Sequence, residues 1–353
     1  MDASIWPSWP HTFPPLVHLA IGLLFAALAG MVASRRLGLP QVTGYCLAGL
    51  LLGPAFIGWF GPEDLVNLRP VMDLALSLLL FELGVRVDLR WFRANPWLLG
   101  ASLLEAALAF GACLGITLLL GYNLGLAAAV GTIAICTSPS VVMRVTSEMR
   151  AEGQVTQRLL VLTALNTGYS VILTQILVGA MHGMFRGEWL TAVLHPLYLL
   201  VGSVLVGMAL AAAFVGLRRH LDLSDELGVA VLLGLLLLTL GLVEVLHLPA
   251  LLAPLAAGII LKNRGDPRPL IWPRHFGTAG GVLVISLFIL TGLPVTIQHL
   301  LAGGLAALAL IVARSAGKVA GAMLCGPLSG LSLRQSVALG LSLAPLSAVA
   351  LLL

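Results

Sequence analysis

The chain is dominated by apolar runs of about 20 residues that are separated by short polar loops. A helix needs about 20 mostly apolar residues to cross the hydrocarbon layer of a bilayer. Because backbone groups cannot stay unpaired in lipid, such runs must be helical. The residues are 59% hydrophobic and only 10% charged, whereas a soluble domain carries about 25% charged residues. The sequence therefore predicts an all-α polytopic membrane protein embedded in a lipid bilayer.

Twelve runs qualify as candidate membrane spans, which we number in chain order. No Lys or Arg precedes the first run, although a signal peptide needs a basic segment there, so we expect an uncleaved first span. The approximate limits of the twelve spans are residues 14–34, 40–60, 67–85, 97–121, 123–145, 156–182, 189–217, 226–246, 247–262, 276–298, 300–326 and 335–353.

Basic residues fall almost entirely on one side of these spans. Arg or Lys side chains follow the odd-numbered spans, for example at Arg35, Arg90 and Lys262. The only Lys or Arg residues that follow even-numbered spans are Arg69 and Arg186. Since cytoplasmic loops carry an excess of Lys and Arg, we expect the N-terminus outside and the odd-numbered loops in the cytoplasm, in a bacterial-type inner or plasma membrane. Topology thus accounts for the net charge of +4, and no nucleic acid partner is expected.

The two halves of the chain resemble each other. LGLPQVTGYCLAGLLL (37–52) matches LHLPALLAPLAAGIIL (246–261) at an offset of 209 residues (246 − 37). Spans two, three and five pair in this way with spans nine, ten and twelve, so the copies are inverted in the membrane. Inverted repeats are typical of secondary transporters; chance similarity among Leu-, Ala- and Gly-rich runs is the alternative. We expect one domain, 1–353, with repeats at about 37–182 and 246–353.

Span five contains a proline at a position that predicts a break in the helix. Pro139 lacks a backbone N–H and interrupts the hydrogen-bond ladder. The carbonyls and helix ends that such a break frees can coordinate a small cation, and Thr137 and Ser138 add hydroxyl groups there. A plain proline kink is the alternative. Span twelve has Pro345 in a corresponding segment, LAPLS, which favours a crossed pair of broken helices.

Neither a metal centre nor an enzyme active site is indicated. The chain has no HExxH motif, no GxSG-like serine motif and no GxGD-type aspartate pair. Its cysteines lie in apolar runs without a CxxC motif or a Cys/His cluster. We therefore expect no enzymatic activity, no cofactor and no disulfide framework. The cysteines are Cys46, Cys113, Cys136 and Cys325.

Five motifs in chain order carry a resemblance to a known family. They are LPQVTGYCLAGLLLGP, LLLFELGVRVDL, TSPSVV, ARSAGK and ALGLSLAPLSAVALLL. Together they resemble the sodium/hydrogen exchanger domain of the monovalent cation:proton antiporter-2 family over nearly the whole chain. The resemblance implies an inverted-repeat antiporter fold whose core of crossed broken helices moves against a dimerisation domain. It also implies a homodimer that exchanges a monovalent cation, Na⁺ or K⁺, for protons by alternating access.

The chain departs from this family in two respects. The resemblance implies thirteen spans, of which twelve are present; either the sequence is part of a longer protein or the protein ends before a thirteenth span. The family carries Asn-Asp or Asp-Asp in span six, where this chain has Asn166 and Thr167. The Asp that binds the cation and exchanges it for protons therefore corresponds to Thr167, which cannot titrate and offers only a hydroxyl.

The Thr167 substitution leaves two functional interpretations. In the first, Asn166, Thr167, Thr137 and Ser138 still bind Na⁺ or K⁺, with altered proton coupling. In the second, the protein is a non-transporting or regulatory membrane subunit with a degenerate antiporter fold. The missing thirteenth span also favours the second interpretation.

Charged residues inside the predicted spans need a partner or a function, because an acidic residue at a helix centre costs about 2.5–3.5 kcal/mol. Glu105 lies in span four, and the repeat offset pairs it with Arg314 (314 − 105 = 209), where the resemblance places a basic residue in span eleven. We expect Arg314 to bond to Glu105, Asn166 or the freed carbonyls, and Glu105 to compensate charge or carry the proton. A plain structural Glu105–Arg314 ion pair is the alternative. Lys318, one turn further along span eleven, is expected near the cytoplasmic mouth.

Overall fold

A computed structural model of the chain describes residues 14–187, 189–221, 225–264 and 276–346. Within these ranges the secondary structure consists of α-helices and one short 3₁₀ helix at Pro327–Ser329, without any strand. In chain order the α-helices are α1 Pro15–Leu37, α2 Gln41–Leu52, α3 Pro62–Val85, α4 Leu89–Ala94, α5 Pro96–Leu119, α6 Leu124–Ile135, α7 Pro139–Glu148, α8 Gln154–Arg186, α9 Trp189–Leu221, α10 Asp225–Val245, α11 Leu252–Asn263, α12 Phe276–Gly292, α13 Ile297–Cys325 and α14 Leu333–Ser342.

Each of the twelve predicted spans contains one of these helices, or, in span five, the pair α6 and α7. Among the described residues, seven helical segments are long and apolar enough to cross a membrane. Three further apolar helical segments, Gln41–Leu52, Leu252–Asn263 and Gly280–Gly292, are shorter. The all-α membrane class is therefore confirmed, while the number of spans stays a prediction.

Local sequence signals set many helix ends. Pro96 occupies the first turn of α5, where a missing N–H costs nothing. Asn123 caps α6, because its Oδ1 accepts a hydrogen bond from the Leu126 N–H at 2.9 Å. Ser332 and Gln335 form a reciprocal capping box at the start of α14.

The chain divides into two compact units, the first of which comprises the described parts of Met1–Met72 and Gly281–Leu300. In this unit α2 and α12 are in backbone contact. A Cβ on Gly49 would lie 2.2 Å from the Ile289 carbonyl oxygen, and one on Gly292 would lie 2.6 Å from the Cys46 carbonyl oxygen. Glycine is therefore required at these crossings, as is common between membrane helices.

The second unit comprises the described parts of Asp73–Gly280 and Leu301–Leu353. In it, α8 packs against α6, α7, α9 and α14, and α5 packs against α6. Helices α5 and α13 also touch through their backbones, since a Cβ on Gly321 would lie only 2.3 Å from the Glu105 Cα. Gly317, one turn earlier on α13, makes a similar approach to the Leu108 carbonyl group. The segment Gly317–Gly321 is thus a GxxxG contact.

In this second unit, described residues within predicted spans five and twelve are not helical. Helix α6 ends at Ile135 and α7 begins at Pro139, so residues 136–138 form a non-helical segment. Helix α14 ends at Ser342, and residues 343–346 are also not helical. The predicted continuation of span twelve, residues 347–353, lies outside the described residues.

Candidate functional site

The two non-helical segments meet in the interior of the second unit. The Ser138 N–H donates a hydrogen bond to the Pro345 carbonyl at 3.0 Å. The Thr137 hydroxyl donates to the Leu343 carbonyl at 3.3 Å. Thr137 and Ser138 are both buried. The crossing of broken segments that the sequence predicts at Pro139 and Pro345 is therefore present.

Arg314 on α13 joins these two segments. Its Nε donates to the Ala134 carbonyl at 2.8 Å, and one Nη donates to the Cys136 carbonyl at 2.6 Å. The other Nη donates to the Ala344 carbonyl. Carbonyls at helix C-termini carry partial negative charge, so the guanidinium neutralises the ends of α6 and α14 together. Of the partners expected for Arg314, the structure shows the freed carbonyls rather than Glu105.

Lys318 is the ion-pair partner of Glu105. The Lys318 Nζ lies 2.9 Å from Glu105 Oε2, and both side chains are 0% exposed. The same Nζ donates to the Ile135 carbonyl, the last residue of α6, at 3.0 Å. Lys318 is therefore fully buried in an ion pair, and its expected position near the cytoplasmic mouth stays a prediction. Glycine at 321 lets α13 approach α5 closely enough to bury the ammonium beside the carboxylate.

Asn166 on α8 connects this ion pair to the broken segment. Its Nδ2 donates to Glu105 Oε1 at 2.5 Å and to the Thr137 hydroxyl oxygen at 3.2 Å. The Glu105 carboxylate fixes the amide orientation, because the flipped amide would set oxygen against oxygen. The Asn166 Oδ1 is buried and accepts no hydrogen bond from the described part of the chain. A buried acceptor without a donor is uncommon and is a candidate ligand for a cation.

Thr167 and Ser138 make more local contacts. The Thr167 hydroxyl donates to the Thr163 carbonyl of its own helix at 2.9 Å. The Ser138 Oγ lies 3.1 Å from the Ser140 Oγ and accepts from the Val141 N–H, capping α7. Both residues are buried. The Thr167 hydroxyl proton is engaged within its own helix, and the Ser138 Oγ is hydrogen-bonded to Ser140 and Val141, so these groups can offer a cation only lone pairs.

The arrangement offers a set of hard oxygen ligands around one buried carboxylate. The oxygens are those of the Glu105 carboxylate, the Asn166 amide, the Thr137 hydroxyl and the Ile135 carbonyl. Among the described residues no group of three or more His, Cys, Asp or Glu side chains is placed to hold a metal ion. The oxygens suit an alkali cation, and the Lys318 ammonium takes up two of them, one on Glu105 and one on Ile135.

Sequence reasoning missed the Glu105–Lys318 pairing and the small-residue contact behind it. The signal for both is the segment GKVAG, residues 317–321, which places a lysine between two glycines spaced as in GxxxG.

Comparisons with known proteins find similar sequences along most of the chain. The family model described as "Sodium/hydrogen exchanger, transmembrane" matches residues 23–353. The chain is 28% identical over 316 residues to the Na⁺/H⁺ antiporter NhaS2 of Synechocystis sp., covering 86% of this chain and 56% of that protein. It is 26% identical over 256 residues to AmhT, an ammonium/H⁺ antiporter subunit of Alkalihalophilus pseudofirmus. This match covers 71% of this chain and 63% of AmhT. The chain thus spans less than two thirds of the length of these curated relatives.

A solved structure shows the same fold. The sodium proton antiporter MjNhaP1 from Methanocaldococcus jannaschii at pH 8 superimposes with a TM-score of 0.67, covering 94% of this chain and 84% of that one. The two sequences are 18% identical, so the likeness concerns the fold alone.

Proposed function

Since this integral membrane chain belongs to the sodium/hydrogen exchanger transmembrane family, we propose that it exchanges a monovalent cation, Na⁺ or K⁺, for protons by alternating access. We further propose that it works as a homodimer without a cofactor, in a bacterial-type inner or plasma membrane with its N-terminus outside. Inverted repeats at about 37–182 and 246–353 form its core in this proposal. The observation that supports exchange best is the fully buried Glu105–Lys318 pair at the crossing of broken helices.

Glu105 takes over the task of the Asp that the family carries where this chain has Thr167. A buried carboxylate can hold a cation or a proton, but not both at once. In the resting pair, the Lys318 ammonium occupies Glu105 Oε2 and the Ile135 carbonyl. An entering Na⁺ or K⁺ would take these oxygens together with the free Asn166 Oδ1 and the Thr137 hydroxyl oxygen.

Displacement of Lys318 is the step that couples the cation to a proton. An ammonium without a counter-ion in a buried site is costly, so the displaced Lys318 gives up a proton as the cation binds. When the cation leaves, a proton returns and the ion pair reforms. The cation and the protonated Lys318 ammonium therefore compete for one carboxylate, and one proton is released for each cation bound.

Arg314 has a different, positioning task in this proposal. Its guanidinium stays charged and is bonded to carbonyls of both broken segments. The carbonyls of the crossing itself are thereby occupied, which directs a transported cation to the neighbouring oxygens of Glu105 and Asn166. In this proposal, the hydroxyl lone pairs of Thr167 and Ser138 complete the surroundings of the bound cation.

The second interpretation, a non-transporting or regulatory subunit, draws its support from the loss of a titratable group at Thr167. Glu105, a buried carboxylate on α5, supplies such a group and is in contact with Asn166. Exchange is therefore the better supported function.

Proton flux in proteoliposomes with a pH-sensitive dye tests the proposal. Na⁺, K⁺ and Li⁺ are added in turn between about pH 6 and 9, a range that brackets neutral pH. We expect at least one cation to drive proton movement. In Glu105→Gln we expect a rate roughly 100-fold or more lower, since a buried pair is broken.

Glu244→Gln is the matched control, because Glu244 is an exposed carboxylate in the last turn of α10. Its rate should equal that of the wild type within about twofold, as expected for an exposed surface change. No response of the wild type to any of the three cations would exclude exchange as the activity. Exchange that survives unchanged in Glu105→Gln would leave the family function standing and remove Glu105 from it.

A further inference from the structure

A cavity lies outside the candidate cation site, where α3 and α11 end and α8 begins. It encloses about 540 Å³, within the range of ordinary small-ligand sites. Its wall includes the basic side chains of Arg86, Arg90 and Lys262, together with the Trp91 ring and the Leu160 side chain. Polar, cationic and apolar surfaces therefore face one space.

The charge in this wall is largely uncompensated. Asp88, the acidic residue of the wall, caps α4 by accepting a hydrogen bond from the Arg90 N–H at 2.9 Å. Arg86 is 3.4 Å from Glu82 in an exposed pair, which contributes little. Within the described chain, the side chains of Arg90 and Lys262 have neither a hydrogen bond nor an ion pair. The cavity is consequently a positively charged concave surface.

The excess of basic residues on one side of a membrane protein does not account for this convergence. The cavity gathers side chains from segments far apart in sequence, 85–94, 157–160 and residue 262. All three segments belong to the predicted cytoplasmic side of their spans. Membrane orientation requires basic residues in the cytoplasmic loops, but it does not require them to assemble around one cavity.

Buried contacts also hold part of the wall in place. The Arg158 guanidinium lies 5.9 Å from the centre of the Trp91 ring and donates to the hydroxyl and carbonyl oxygens of Ser329. Asn95 donates to the same Ser329 carbonyl at 3.0 Å. Arg158 thus links Trp91, a residue of the cavity wall, to Ser329.

We propose that this cavity binds a phosphate group, carried either by the head group of an anionic phospholipid or by a free phosphorylated metabolite. Guanidinium groups recognise phosphate by paired hydrogen bonds, and basic pockets between membrane helices on the cytoplasmic side hold lipid head groups. Trp91 and Leu160 would contact the less polar remainder of the ligand. The ligand would also contact α8, the helix that carries Asn166.

Direct binding to the purified protein in uncharged detergent tests this inference without any measurement of transport. The probes are dioctanoyl phosphatidylglycerol, the zwitterionic dioctanoyl phosphatidylcholine, inorganic phosphate and AMP. In Arg90→Gln/Lys262→Gln we expect phosphatidylglycerol or the free phosphates to bind about 10- to 30-fold more weakly than in wild type. Both substituted side chains are exposed, so the variant should elute from size exclusion as the wild type does.

The matched control is Arg36→Gln/Arg334→Gln, which removes two exposed basic residues outside the cavity. Binding of phosphatidylglycerol alone, lost only in the cavity variant, identifies a lipid head group as the source. Binding of phosphate or AMP in competition with phosphatidylglycerol identifies a free metabolite. Equal losses in both variants, no loss in either, or equal binding of phosphatidylcholine and phosphatidylglycerol would overturn the inference.

Discussion

Asn166 and Thr167 are neighbours on α8 with unequal chemical surroundings. The Thr167 hydroxyl is satisfied by the Thr163 carbonyl of its own helix. Asn166 donates to Glu105 and Thr137 and leaves its Oδ1 without a donor among the described residues. In the proposed transport cycle, Asn166 is therefore the cation ligand of the two, and Thr167 fills the space that a carboxylate takes in the family.

Separate substitutions of Asn166 and Thr167 distinguish their contributions to cation binding. Asn166→Leu removes a ligand oxygen and a hydrogen bond to a charged group, which contributes about 1.5–3 kcal/mol. We expect its half-saturating cation concentration in the flux assay to rise about tenfold or more. Thr167→Val loses only an intrahelical bond of about 0.5–1.5 kcal/mol and should stay within roughly threefold of wild type. The opposite order would show that Thr167, not Asn166, contacts the cation.

The sequence identified the charged residues of the site but not their pairing. Glu105, Arg314 and Lys318 stand out because charge is rare inside membrane spans. The repeat offset matched Glu105 with Arg314, whereas the structure pairs Glu105 with Lys318, four residues later. Matching the repeats could not distinguish Arg314 from Lys318, which lies one helical turn later. The partner of Glu105 depends on how α13 is rotated and how closely it approaches α5.

Close contact between α5 and α13 is the feature that makes the buried pair possible. A Cβ on Gly321 would lie 2.3 Å from the Glu105 Cα, far inside van der Waals contact. Because backbone atoms are the obstacle, relief would require a shift of one helix against the other. The position of the Lys318 ammonium therefore depends on glycine at this site.

Gly321→Ala is expected to separate the two helices. Overpacking of this kind costs about 1–3 kcal/mol, so thermal unfolding in detergent, followed by tryptophan fluorescence, should shift downward by several degrees, and cation-driven flux should fall with it. Gly304→Ala on the same helix is the control, since its added Cβ would meet nothing within 4 Å. It should unfold at or slightly above the wild-type temperature, because Ala favours helix over Gly by up to about 1 kcal/mol. Equal shifts in the two variants would contradict a steric role for Gly321.

The broken helices were predictable because proline marks them. Pro139 begins α7 immediately after the non-helical residues 136–138, and Pro345 lies in the segment that meets them. The bonds of Arg314 to both segments were one of three alternatives that the sequence left open. Choosing among them required the positions of carbonyl groups, which side-chain patterns do not encode.

Hydropathy gave the succession of helices along the chain better than their lengths. Every predicted span contains a helix. However, α2 ends at Leu52 and α11 begins only at Leu252, although both positions lie inside apolar runs that are continuous in the sequence. Gly53 and the residues after it remain apolar while leaving the helical conformation. Apolar composition indicates burial in lipid or protein and does not show such turns. The twelve predicted spans therefore outnumber the seven helical segments of membrane length that the described part of the chain contains.

The orientation inferred from basic residues predicts which loops face outward. Tyr122 lies in the exposed turn before α6, and Ala151 in the exposed turn before α8. In intact cells, a membrane-impermeant maleimide should label Tyr122→Cys and spare Ala151→Cys. The unsubstituted chain is the control, because three of its four cysteines are buried and the fourth is only partly exposed. Labelling of Ala151→Cys alone would reverse the assigned orientation.

A measurement of proton release on cation binding tests the coupling between Glu105 and Lys318 independently of transport. Purified protein in a weakly buffered detergent solution is titrated with Na⁺ or K⁺ while the pH is recorded. The wild type should release about one proton per bound cation, as linkage requires when the cation displaces the Lys318 ammonium from Glu105 and Lys318 then loses its proton. Glu105→Gln/Lys318→Gln, which leaves no unpaired charge behind, should release none. Cation binding by the wild type without proton release, or equal release by the double variant, would contradict the proposed exchange.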